Sequence, residues 1–268
     1  ENFSDSFTFQ ANDGTDMSLE VGTASISINE VNDPPTIPDD LIASANVTEG
    51  NGETTQLTLT ANDVDNSNTS NFSFTIVDDP SYGTVSVDGS SLSYSSGTFT
   101  ATATYTHDGS EESNNTFTYK ANDGEPSTAP TSQDSETETA TITVTAVNDP
   151  PIISDPNDSI SATVDEGTST VNGTDIVITL TATDVDDDDS PFDFTFEVVS
   201  NPTYGTVSID ASSYAYSSGT FTANATYTHD GSETTSDSFT FRANDGDNTS
   251  TGLGTATLTI NAKNDSPF

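Results

Sequence analysis

The sequence predicts an all-β chain, a series of tandem Greek-key β-sandwich repeats joined end to end. Two observations carry that prediction. A set of short motifs recurs in the same order along the chain, the mark of repeat architecture. Between those motifs apolar residues alternate with polar ones, which buries one face of a strand and leaves the other in water.

The repeat can be read motif by motif. Tyr82-Gly83-Thr84-Val85 returns as Tyr204-Gly205-Thr206-Val207, and Tyr105-Thr106-His107-Asp108-Gly109-Ser110-Glu111 returns as Tyr227-Thr228-His229-Asp230-Gly231-Ser232-Glu233. Ala-Asn-Asp-Gly occurs from Ala11, from Ala121 and from Ala243. Asn32-Asp33-Pro34-Pro35 recurs as Asn148-Asp149-Pro150-Pro151 and, degenerately, as Asn264-Asp265-Ser266-Pro267. The motifs divide the chain into a tail over 1–35, a full repeat over 36–151 and a second over 152–268. The tail holds only what the last third of a repeat holds, and a lone hairpin is marginal in water. It is expected to be the C-terminal part of a preceding, incomplete repeat, completed in cis or by strands of another chain.

Each repeat reads as strands. In the first, Phe72, Phe74 and Ile76 alternate with polar residues. So do Phe99, Ala101, Ala103 and Tyr105, then Phe117, Tyr119 and Ala121, then Ala140, Ile142, Val144 and Ala146. Phe192, Phe194, Phe196 and Val198 do the same in the second. About seven such segments per repeat, punctuated by Gly, Pro, Asn and Asp, suit a sandwich of immunoglobulin size. The period of two points to antiparallel sheets. No segment shows helical periodicity with caps.

Charge opposes this fold. Only 30% of residues are hydrophobic, and 44 acidic side chains face 3 basic ones, giving a formal charge of −41. Little apolar burial against so much self-repulsion favours disorder unless something offsets the charge. Divalent cations held by carboxylates and carbonyls would do so, and so would high external salt. The sign of the charge excludes nucleic acid and anionic membranes as partners. Cysteine is absent, so disulfides and thiol catalysis are excluded. No apolar run is long enough for a helical membrane span.

Taken in order, the motifs resemble the cadherin-like repeats of bacterial and archaeal surface adhesins. They are Thr48-Glu49-Gly50 and Asp165-Glu166-Gly167, Asp63-Val64-Asp65 and Asp184-Val185-Asp186, the Asp-Gly-Ser-Glu turns from Asp108 and Asp230, Ala-Asn-Asp-Gly, and Val-Asn-Asp-Pro-Pro. The resemblance covers essentially the whole chain. It implies calcium at the junctions between repeats. At the first junction it implies ligation by Asn32, Asp33, Asp63, Asp65 and Asp123. At the middle one it implies Glu49 and Asp108 upstream, Asn148 and Asp149 in the linker, and Asp184, Asp186 and Asp245 downstream. Glu166 and Asp230 repeat the positions of Glu49 and Asp108. Calcium's need for roughly six to eight oxygens agrees, since no single short strand supplies them.

Departures from the animal cadherin pattern lower the expected ion count. The acid two positions before the linker Asn is Glu30 once and Ala146 and Ala262 afterwards. Pro34 and Pro150 replace the final linker Asn, and the acid of the Asp-Gly-Ser-Glu turn is displaced to Glu111. Roughly one or two ions per junction are expected. Asp187, Asp188 and Asp189 read as solvated surface.

No enzyme is expected. His107 and His229 occupy equivalent positions, so they cannot pair within one repeat, and they read as turn-flanking structural residues. No Ser, His and Asp constellation recurs with triad logic. Lys120 raises the idea of an isopeptide cross-link, but its equivalents are Arg242 and Gln10. Sequons at Asn46, Asn172 and Asn224 admit glycosylation.

The leading expectation is a calcium-rigidified rod in an extracellular surface adhesin or filament, its partners being neighbouring repeats or copies of itself. One alternative is an adhesive module for cell-surface glycans or proteins. Against it, Trp is absent and the tyrosines are placed mostly beside strands. Another is a filament subunit assembling by strand donation from its N-terminal tail.

Overall fold

The alternating segments pair into two facing sheets in each repeat. The computed structural model describes residues 4–28, 31–124, 133–153, 159–167, 174–186 and 193–264. Its internal contacts fall into two units, Glu1–Val147 and Asn148–Phe268.

In the first unit a hairpin of β1 (Ser4–Phe9) and β2 (Gly22–Ser27) precedes a sandwich. The sandwich comprises β3 (Ser44–Thr48), β4 (Thr54–Asn62), β5 (Ser73–Asp78), β6 (Thr84–Ser95), β7 (Thr98–Thr106), β8 (Asn114–Asn122) and β9 (Glu138–Thr145). One sheet has the order β3-β9-β8-β5 and the other β4-β7-β6. The second unit repeats this with β10 (Ser159–Asp165), β11 (Asp175–Thr183), β12 (Thr195–Ser200), β13 (Gly205–Ser217), β14 (Thr220–His229), β15 (Ser236–Asn244) and β16 (Gly254–Asn261). Its sheets run β10-β16-β15-β12 and β11-β14-β13. The only parallel pairings among these strands are β3 with β9 and β10 with β16.

Alternation sets the core. In β7 the inward residues Phe99, Ala101, Ala103 and Tyr105 are buried while the intervening threonines face out. The large rings bridge the sheets at one point in each unit. Phe72 stacks on Phe99 at 3.7 Å, and Phe194 stacks on Phe221 at 3.8 Å. The small alanines beside them let the sheets approach, which compensates for a modest apolar content. Tyr105 and Tyr119 lie within strands and are fully buried, as their place in the alternation predicts, and so is Tyr227 in β14. A hydroxyl can be buried there because each finds a hydrogen-bond partner. Phe192 lies outside the described residues.

The β1–β2 hairpin carries the register of the last two strands of a sandwich. Phe7 faces Ala24 as Phe117 faces Ala140 and Phe239 faces Ala256. The Phe9 ring lies over Gly22 and the Phe241 ring over Gly254, where a Cβ would collide with it. Its apolar face is open, however, with Phe7 56% and Phe9 54% exposed against 1% for Phe117.

Candidate metal centres

Strand direction gives each unit two poles. In the first, β4 begins opposite the end of β7 and finishes opposite its start, pairing Thr54 with Thr106 and Asn62 with Thr98. Asp63, following Asn62, therefore lies at one pole. Glu49 and Asp108, beside Thr54 and Thr106, lie at the other.

At the Asp63 pole the chain folds around carboxylates. Asp63 Oδ1 accepts the N–H groups of Asp65 at 3.1 Å and Asn66 at 2.9 Å, an Asx turn that the Asp-x-Asp-Asn spacing favours. Its other oxygen, Oδ2, is buried with no hydrogen-bond partner, and so is Asp65 Oδ1. Asp123 is brought to the same place because β8 ends in a turn, where Asn122 Oδ1 accepts Gly124 N–H at 2.8 Å. The linker closes over these acids. Asn32 Nδ2 donates to Asp123 Oδ2 at 2.8 Å, and Asp33 N–H donates to Asp65 Oδ2 at 2.9 Å. Thr36 then exchanges two backbone hydrogen bonds of 2.8 Å with Asn62. The structure thus brings together Asn32, Asp33, Asp63, Asp65 and Asp123.

The electrostatics are unfavourable without a cation. Asp63 is 5% and Asp123 0% exposed. Burial pushes the Asp63 carboxyl above the usual carboxylate range, despite the N–H donors on Oδ1. Lys120, Arg242 and Lys263 are each committed elsewhere, to Asp134, Glu197 and Asp165, and they are the only Lys or Arg residues in the chain. The neighbouring Asp63 and Asp65 carboxylates, each with one buried oxygen lacking a hydrogen-bond partner, fit a hard cation with oxygen ligands, which a carboxylate–carbonyl set would hold.

The second unit builds the same pole. Asn148 Nδ2 donates to Asp245 Oδ2 at 3.1 Å, and Asp149 N–H donates to Asp186 Oδ2 at 2.8 Å. Asp184, Asp186 and Asp245 are 5%, 8% and 5% exposed. Ile152 pairs with Thr183 as Thr36 does with Asn62. The run Asp187, Asp188 and Asp189 lies outside the described residues.

The opposite poles are looser. Glu49 is buried after β3, and its Oε2 accepts Val147 N–H at 3.3 Å. The turn carrying Asp108 is held against the loop after Glu49 by Gly52 N–H on His107 O and His107 N–H on Glu53 O. Asp108 itself is exposed, its Oδ1 accepting Ser110 N–H at 3.1 Å. In the second unit Glu166 is buried and Asp230 exposed, with Ser232 N–H on Asp230 Oδ1 at 2.9 Å.

The histidines sit beneath these turns. His107 Nδ1 lies 2.9 Å from Tyr105 Oη and its Nε2 lies 2.9 Å from Ser110 O. Asn115 Nδ2 donates to Tyr105 Oη at 3.1 Å and to Tyr82 O at 2.6 Å. In the second unit Asp237 replaces Asn115 and accepts from Tyr227 Oη, Thr203 N–H and Tyr204 N–H, each at 2.9 Å. The Tyr-x-His motif thus anchors the turn that carries Asp108 or Asp230. Lys120 meets Asp134 at 2.6 Å on the half-exposed surface.

Two residues were missed in the sequence. Asn66 donates from Nδ2 to the Asp123 carbonyl at 2.9 Å, tying two acid-bearing loops together. Its signal was the polar residue directly after Asp-Val-Asp. Asp13 is the third copy of Asp123 and Asp245 in Ala-Asn-Asp-Gly. Asp16 N–H and the Thr15 hydroxyl and N–H, all on Asp13 Oδ1, hold its carboxyl down at about 2.

Comparison with known proteins agrees with the fold. Residues 161–262 match the cadherin-like family model. Mouse protocadherin-24 EC1-3 superposes with a TM-score of 0.50 at 16% identity, covering 98% of this chain and 80% of that one. Mouse clustered PcdhgC3 EC1-3 gives 0.46 at 14% identity, covering 96% and 76%. An endo-fucoidan hydrolase of glycoside hydrolase family 107 gives 0.30 at 16% identity, and this chain spans 35% of its length. No curated protein sequence matches the chain.

Proposed function

We propose that this chain, whose units are cadherin-like β-sandwiches, is a calcium-rigidified structural segment of an extracellular adhesin or surface filament. The observation that carries the reading is the pair of buried, unpartnered oxygens, Asp63 Oδ2 and Asp65 Oδ1, beside Asp123. Leaving buried acceptors unsatisfied costs about 1–3 kcal/mol each, more for charged groups, which favours a compensating ligand at this cluster. A divalent cation neutralises the acids and supplies the missing partner in one step.

On this reading Asn32, Asp33, Asp63, Asp65 and Asp123 hold calcium at the first linker. Asn148, Asp149, Asp184, Asp186 and Asp245 do so at the second, and Glu49 and Asp108 are further candidate ligands carried by the first repeat. Glu166 and Asp230 serve the corresponding place after the second repeat. Ligands from a linker and from the loops it enters would let the ion fix the linker against those loops. Pro34-Pro35 and Pro150-Pro151 add stiffness by fixing φ. Extracellular modules bind calcium with Kd of ~0.1–1 mM, a range that keeps such sites filled outside cells. At free calcium ~100 times Kd, each site would stabilise its unit by about 2.7 kcal/mol. The cadherin-like assignment supports an adhesion or structural role and not catalysis. Partners on this reading are neighbouring repeats and copies of the chain.

The test is thermal unfolding and small-angle scattering in 5 mM calcium or in chelator at equal ionic strength (roughly 0.15 M, where exposed charges are screened). A raised midpoint, with an extended particle that becomes flexible on chelation, is expected. An unchanged midpoint and shape would remove calcium from the account.

A further inference from the structure

The Asp63 and Asp184 loops are each gripped by a hairpin tip that contributes no ligand. The β6–β7 hairpin turns at Ser96-Gly97, with φ of 52° and 87°, and the β13–β14 hairpin turns at Ser218-Gly219, with φ of 49° and 72°. Two consecutive residues in the left-handed region are what a two-residue type I′ turn requires. Each turn points a carbonyl at the acid: Asp63 N–H donates to Gly97 O at 3.0 Å, and Asp184 N–H donates to Gly219 O at 2.9 Å.

We propose that these turns are the positioning residues of the ion sites, setting calcium affinity by fixing the backbone of Asp63 and Asp184. The inference rests on the calcium reading above. Asp63 is held from two sides. On one, Asn62 is paired with Thr36 of the linker; on the other, Asp63 itself is bonded to Gly97. Thr98, the residue after the turn, also donates from Oγ1 to Asn62 Oδ1 at 2.9 Å. With its backbone so fixed, Asp63 presents the buried, unpartnered Oδ2 in a set direction. An ion site gains affinity when its ligands need not be ordered on binding.

The choice of residues follows. Gly is the low-strain residue at the second turn position, while Ser at the first bears a side chain in a region that Asn tolerates better. A Cβ at Gly219 would stand 3.0 Å from Asp184 O, and one at Gly97 would stand 3.7 Å from Asp63 O. Substitution at either therefore moves the acid, Gly219 by direct contact and Gly97 through backbone strain.

The experiment is a calcium titration of the full chain followed by NMR at the amides of Val64, Asp65, Val185 and Asp186, which resolves the sites. Gly97→Ala is expected to weaken binding at Val64 and Asp65 about fivefold to tenfold while leaving Val185 and Asp186 unchanged. Gly219→Ala is expected to do the reverse, and Ser96→Asn to tighten the first site about twofold. Val87→Ala, in the same hairpin but packed on the core, supplies the structural control. It is expected to lower the melting midpoint of the calcium-free protein without changing affinity. Equal affinity losses in Gly97→Ala and Val87→Ala, or none in Gly97→Ala, would overturn the positioning role alone. A wild-type chain that binds no calcium would overturn it together with the calcium reading.

Discussion

Asn66 joins the two acidic loops of the first unit: its Nδ2 donates to the Asp123 carbonyl at 2.9 Å while its backbone N–H donates to Asp63 Oδ1 at the same distance. Residues that orient metal ligands cost about 10–100-fold in affinity when removed. Asn66→Ala is expected to weaken calcium binding at the first linker about tenfold, measured by calorimetric titration. An affinity unchanged within twofold would show that the loops hold their geometry without it.

Asp63 offers a test in which stability and binding move in opposite directions. Burial raises its pKa, so at neutral pH the ionised carboxylate opposes folding of the calcium-free protein. An amide keeps the acceptor that Asp65 and Asn66 use and discards the charge. Asp63→Asn is therefore expected to raise the calcium-free melting midpoint by about 4–8 °C, if roughly 1 kcal/mol is recovered. The same change should abolish the calcium-induced rise of the first unit. Calorimetry with and without chelator reads both, and a variant less stable than wild type in chelator would contradict the electrostatic account.

The strands were legible because alternation is a short-range signal that burial imposes directly. Phe99, Ala101, Ala103 and Tyr105 are spaced in sequence as they are buried in β7. The grouping of Asn32 with Asp123, and of Asp33 with Asp65, was reached through resemblance. Neither pair is close in sequence, and only the closing of the linker over β4 and β8 joins them. Asn66 escaped notice because its role is in donor geometry, which composition does not encode. Asp13 escaped because the tail was read as a fragment, although its turn repeats that of Asp245. Tyr105 and Tyr119 were legible as inward members of alternating runs, while Tyr82 lies in the bend before β6. Tyr105 and Tyr227 are core residues whose hydroxyls reach that turn.

The stacked phenylalanines make the sandwiches equally vulnerable. Phe221 is 2% exposed and lies against Phe194 with their planes 1° apart. Phe-to-Ala changes in cores cost about 3–5 kcal/mol, through lost transfer energy and the cavity left behind. Phe221→Ala is expected to split denaturant unfolding into two transitions, the second unit melting first. A single transition at the wild-type midpoint would mean that the ring contributes little. Phe99→Ala should reverse the order.

Alkaline pH should single out the second unit. Burial raises the Tyr227 pKa above the usual tyrosine range, and the hydrogen bond to Asp237 and that residue's negative charge raise it further. A raised folded pKa means that the native state holds the proton more tightly than the unfolded chain. Stability from this group is thus fully present below the unfolded value of about 10 and is lost as pH climbs towards the folded value. Tyr105 is also raised by burial, but its neighbour Asn115 is a donor to Tyr105 Oη, which works the other way. Wild-type protein in saturating calcium should therefore lose second-unit stability more steeply than first-unit stability between about pH 10 and 12. Asp237→Asn, which restores the first unit's amide, should bring the two slopes together. Tyr227→Phe should flatten the slope, yet cost about 1–3 kcal/mol at neutral pH by taking a donor from the buried Asp237 carboxylate. Site-resolved hydrogen exchange or calorimetry across that range reads both units, and equal slopes in the wild type would contradict the assignment of this carboxylate as the cause.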